Sequence, residues 1–103
     1  MWAQMITSHL KPGKEDEIAT LTAQLKAAEQ SGSGLVHATA TRDSKDPSRV
    51  IMFVVFESEE KARERENDSR RQEGLTKARA TMMEIFEGAP AFTDLTVIDD
   101  WSL

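Results

Sequence analysis

The chain has 103 residues, 39% of them apolar and 30% charged, with a formal net charge of −5. That length bounds it to one domain, residues 1–103, with a single modest core. The acidic balance argues against a nucleic-acid partner, and the lack of cysteine and tyrosine excludes a disulfide, a thiolate ligand, a Cys nucleophile and a phenolic acid–base group.

No stretch approaches the roughly 20 apolar residues of a membrane span, so no membrane partner is expected. Gln4, Ser8 and His9 interrupt the apolar part of the N-terminus, which does not read as a signal peptide. The expectation is a cytoplasmic protein.

Trp2 to Leu10 alternates loosely, with Trp2, Gln4, Ile6, Ser8 and Leu10 on one face and Ala3, Met5, Thr7 and His9 on the other. This predicts a first strand, ended by Lys11-Pro12-Gly13. Lys14 to Gln30 reads as a helix whose apolar stripe is Ile18, Leu21, Leu25 and Ala28, with Glu15, Asp16 and Glu17 at the positive end of its dipole. Ser31-Gly32-Ser33-Gly34 stops it, and Leu35 to Arg42 predicts a second strand. Asp43 to Ser48 is a surface connection.

Val50 to Phe56 is seven apolar residues in a row, without Gly or Pro. A strand with one wet face would alternate, so this run predicts a central strand buried on both faces. Ser58 is a candidate helix N-cap, with Glu59 and Glu60 in the first turn. From Glu57 to Glu73 twelve of seventeen residues are charged, which predicts a solvated helix face with pairs such as Glu59–Arg63 and Glu66–Arg70. Asn67-Asp68-Ser69 breaks the run, and Ser69-Arg70-Arg71-Gln72 has the form of a capping box that restarts a helix. That helix is expected to reach Gly88, with Ala89-Pro90 as its stop and a last strand from Phe92 to Trp101.

The predicted order is β-α-β-β-α-β, an α+β ferredoxin-like arrangement with an antiparallel sheet. Its helices cover one face only. A sheet that is apolar on both faces needs a second lid, and another copy of the chain supplies one. A homodimer is therefore expected, with the last strand and Trp101 contributing to the contact.

The sequence resembles the antibiotic-biosynthesis-monooxygenase-like proteins of the dimeric α/β barrel superfamily, over nearly the whole chain. The resemblance is carried by Lys11-Pro12-Gly13-Lys14 before an acidic helix start, by Ser33-Gly34 before the second strand, and by Phe56-Glu57-Ser58-Glu59-Glu60-Lys61-Ala62 after the central one. It implies a dimeric barrel and, in some members, oxygenation of anthrones and quinols without metal or organic cofactor; other members degrade haem. The chain departs from the family pattern at Phe56, where Trp is common, at Met52, where the anthrone oxygenases have Asn, and over Arg65 to Arg71, which holds no histidine.

A cofactor-free oxygenase needs a base that turns a phenol or activated C–H into an electron-rich anion, a donor for the oxyanion and a dry pocket. His37 is a candidate base, with His9 at the end of the first strand a weaker one. Each has the bland alternative of an ordinary polar contact. Arg79 is a candidate for holding an oxyanion or carboxylate, because it lies on the stripe Leu75, Arg79, Met82 and Phe86; its bland alternative is a stem on apolar surface with the head in water. Met52, Val54 and Phe56 share one strand face and are expected, with Leu75, Met82 and Phe86, to line a flat pocket for an aromatic small molecule; such residues also serve simply as core. The entrance is expected at Asn67-Asp68-Ser69. No metal site is expected from two histidines on separate strands, and the segment from Glu57 to Gly88 offers no His, Cys or Tyr to ligate haem. Two readings of function follow: a cofactor-independent monooxygenase of an aromatic phenol or quinol, and a non-catalytic small-molecule-binding or structural barrel.

Overall fold

A computed structural model describes residues 1–103. The sheet is built from β1 (Trp2–Leu10), β2 (Leu35–Arg42), β3 (Arg49–Phe56) and β4 (Phe86–Thr96). Its spatial order is β2-β3-β1-β4, with every neighbouring pair antiparallel. This is the ferredoxin-like topology, and β3 lies inside the sheet between β2 and β1, as its apolar run requires. Between the strands run α1 (Ile18–Ala28), preceded by a 3-10 turn at Glu15–Glu17, then α2 (Glu59–Glu66), α3 (Ser69–Gly74) and α4 (Thr76–Ile85). No helix is long and apolar enough to cross a membrane.

The helix side of the sheet carries two apolar clusters. One joins Leu10 and Val50 to Leu21 and Ala28 of α1, to Ala78 and Ile85 of α4 and to Leu75 between α3 and α4, with Ile18, Leu25, Met82 and Phe86 packed around them. The other gathers Trp2, Val54, Phe56 and Ala62, with Ile6 and Leu35 at its edge. The opposite sheet face has no cover. By register, Ala3 and Met5 lie beside Val55 and Phe53 there, with Ile51 beside Thr7, and His37, Thr39 and Thr41 along β2. Phe53 remains 38% exposed at its centre.

Three local expectations shift. The second helical segment, expected in two pieces, is three, because Leu75 ends α3 and begins α4. The N-cap after the break is Asp68, whose carboxylate accepts the Arg70 N–H at 2.9 Å, and Ser69 is the first helical residue. Glu66 pairs with Arg63 at 3.0 Å while Arg70 turns to Asp68, so the expected Glu66–Arg70 pair does not form.

The last strand also begins earlier. Phe86 leaves the helix with extended backbone, and Gly88-Ala89-Pro90 sits inside β4, where the register with β1 jumps from Thr7–Ala91 to His9–Glu87. A bulge on an edge strand tolerates a proline without a ladder donor and a glycine at φ +68°. The apparent stop is thus a kink within a strand. Residues 97–103 lie outside regular structure, with Ile98 and Trp101 exposed.

Candidate functional site

Most of the residues expected to line a ligand pocket are packed into the two apolar clusters. Val54, Phe56 and Leu75 are buried, Phe56 at 3% exposure, and Met82 and Phe86 pack against the core. Met52 lies on the same face of β3, half-buried. The reason is positional: β3 runs beneath the helix layer, so its helix-side residues meet α2 and α4 directly. Arg79 is exposed and donates to the carbonyl of Gln72 at 3.4 Å and to the Gln72 side-chain oxygen. His37 is on the uncovered face, hydrogen-bonded to Thr39 Oγ1 at 2.8 Å. The sheet separates His37 from Arg79, so within one protomer they do not form a common site. His9 is exposed at the end of β1.

An opening lies one strand further over. Between α2 and the β1–β4 pair is an open cleft of about 360 Å³ lined by Gln4, Arg63, Glu66, Phe92 and Asp94. Gln4 and Asp94 are cross-strand partners, and Gln4 Nε2 donates to Asp94 Oδ1 at 2.9 Å. Arg63 donates to Asp94 at 3.1 Å, to Glu66 at 3.0 Å and to Glu59 at 3.3 Å. Its guanidinium carbon sits 5.0 Å from the Trp2 ring centroid, a cation–π arrangement. Phe92 is 59% exposed, an aromatic ring left uncovered beside these groups.

The neighbouring arginine closes the other side of the cluster. Arg65 forks onto Glu29, with Nε at 3.1 Å and Nη2 at 2.7 Å from Oε2, and lies 5.3 Å from the Phe56 ring. Trp2 and Phe56 are themselves 6.0 Å apart. The charge run is therefore not only a solvated face, because two of its arginines cap the aromatic pair under α2. A larger hollow of about 410 Å³ lies outside α1, against Gly74 and Lys77. It holds no aromatic or acidic side chain, so the cleft beside Phe92 is the better candidate site.

None of the five cleft residues is among those the sequence suggested. Gln4 and Asp94 carried a usable signal, as polar residues on the inward faces of strands that pair with each other. Arg63 and Glu66 were hidden among ten other charges in their segment. Phe92 was hidden by the misplaced start of the last strand.

Comparison with curated protein sequences gave no match. Among solved structures the chain is similar to a mutant of MhuD with two manganese protoporphyrin IX bound per active site, at TM-score 0.80 and 17% identity, over 99% of each chain. It is also similar to Rv0793 from Mycobacterium tuberculosis, at TM-score 0.72 and 17% identity, over 98% of each chain. A crystal structure described as an antibiotic biosynthesis monooxygenase aligns at TM-score 0.69 and 11% identity, over 96% of this chain and 100% of the other. At these identities the likeness concerns the fold. The sequence itself matches the family model for antibiotic biosynthesis monooxygenase across residues 1–77 of the 103, and the chain belongs to that family.

Proposed function

We propose that this protein is a small monooxygenase acting on an aromatic phenol or quinol in the cleft beside Phe92, without metal or organic cofactor. The observation that carries the reading is the juxtaposition of an uncovered aromatic ring with carboxylates fixed by one arginine. A planar ligand stacks on Phe92 while its hydroxyl donates to Glu66 or Asp94. Transfer of that proton, or of an adjacent activated C–H proton, leaves an electron-rich anion that reduces O₂. In the overall change an activated CH₂ becomes a carbonyl, one oxygen atom enters the product, and the other leaves as water with the two hydrogens.

The porphyrin of one structural relative does not suit this chain. The helices facing the cleft, residues 59–85, contain no His, Cys or Tyr, and the acidic cleft opposes the two carboxylates of a protoporphyrin.

A second reading, a non-catalytic small-molecule-binding barrel, is favoured by one observation: neither histidine lines the cleft, and carboxylates are weak bases toward a phenol. Oxygen uptake with anthrone separates the two. Turnover that persists with a metal chelator and falls at least tenfold in Glu66→Gln supports the monooxygenase. Saturable binding without oxygen uptake supports the second reading.

In both readings the uncovered sheet face is closed by a second copy of the chain. Met5, Ile51, Phe53 and Val55 form an apolar patch there, partly exposed and centred on Phe53, with Ala3 buried among them.

A further inference from the structure

Resting on the second-copy lid, we infer that the contact between the two copies is opened by acid, with His37 as the group that takes up the proton. Three ladder rows cross the open sheet face, those of Ile51, Phe53 and Val55. Apart from His37 they hold only apolar residues and threonines, with no Asp, Glu, Lys or Arg. His37 stands at the β2 end of the row that runs through Val55 and Ala3 to Leu95.

In a chain that is 30% charged, a partly exposed face without charge is not built for water. It suits a second copy in particular. A two-fold contact sets one surface against itself, so a fixed charge there would meet its own like or be stranded on apolar surface. His37 is the exception, since an imidazole gains its charge only near about pH 6.5.

Nothing that faces His37 offsets that charge. Thr39 Oγ1 lies 2.8 Å from its Nε2, and a hydroxyl serves either form of the ring because it can donate or accept. β3 presents Val55 and Phe53, and β2 is an edge strand with no neighbour on its other side. Arg49 and Glu87 flank His9 at the far end of the sheet, where Arg49 is tied to Asp43 at 3.4 Å. Glu57 follows β3 beyond the last ladder pair, exposed to water. Each copy therefore brings one imidazolium to a contact without a carboxylate in its rows. The dimer is favoured above the histidine range and lost as pH falls through it, because the dimer holds fewer protons than two monomers.

Sedimentation of the full-length protein over a dilution series, at about pH 7.5 and about pH 5.5 and constant ionic strength, reads the dissociation constant on either side of that range. The wild-type constant should rise about tenfold at the lower pH, with an unchanged far-ultraviolet circular dichroism spectrum. His37→Gln should give one constant at both values, and His9→Gln should keep the wild-type response. His37→Lys, with a permanent charge, should dimerise weakly at both. A wild-type dimer equally tight at both values overturns the inference and leaves the second-copy lid in place. So does a weakening that His37→Gln retains, or one that comes with loss of helix signal. A protein that is monomeric at the higher pH overturns the lid itself.

Discussion

Arg65 and Glu29 show how one pair ties α2 to the end of α1. Their side chains are 16% and 24% exposed, and the bidentate contact is charge-assisted. Burial raises the Glu29 pKa, but the hydrogen bonds from Arg65 and Ser33 and the charges of Arg65 and Arg71 outweigh it, so the carboxyl sits below its ordinary 4.5. A carboxylate depressed in the folded state stabilises it above the unfolded pKa, and that contribution is lost as pH falls through the folded value. Melting temperature should therefore drop on acidification below about 4.5, with a shallower drop in Glu29→Gln. At neutral pH, Arg65→Met should cost about 1–3 kcal/mol in urea unfolding, since it leaves Glu29 half-buried and unpaired and uncovers Phe56. An unchanged midpoint would show that the pair is ornamental.

At the scale of elements, glycines and caps decide where the chain turns. Gly34 has φ +84°, and a Cβ placed there would lie 2.5 Å from Lys61 Cβ. Gly32 has φ +76° with open space around it. Gly32→Ala should cost the backbone strain alone, about 1 kcal/mol, and Gly34→Ala distinctly more because Lys61 and the start of α2 must move. Comparing their melting curves checks the order. Similarly, Asp68→Ala should cost about 1 kcal/mol as a lost N-cap, and Ser69→Ala little.

The sequence-level reading succeeded where one periodic signal dominated. The apolar run of β3 and the Ile18, Leu21, Leu25, Ala28 stripe of α1 both appear where expected. It failed at Gly88-Ala89-Pro90, because a bulged edge strand and a helix stop use the same residues. It also failed to find the cleft. The apolar signal concentrates on β3, whereas the opening lies above β4, the edge strand the helices leave uncovered, and depends on a β1–β4 pairing between residues 90 positions apart.

For the whole molecule, the apolar patch around Phe53 predicts that the protomer does not stay alone. Sedimentation equilibrium at micromolar concentration should give the dimer mass, and Phe53→Lys should shift it toward monomer by placing a charge in that patch. Ile98 and Trp101 are exposed beyond β4, and deleting Asp99 to Leu103 should weaken the dimer if, as we propose, this segment reaches the second copy. A monomeric wild-type protein would remove the second-copy lid. The monomer's cleft would survive that result, because all five of its residues come from one chain. The function assigned to it is tested most directly by incubating the protein with anthrone under isotopically labelled O₂, with chelator present, and weighing the product by mass spectrometry. The account predicts enzyme-dependent product carrying one labelled oxygen atom, with the signal lost in Glu66→Gln. Product formed at the uncatalysed rate, or formed equally by that variant, would contradict it.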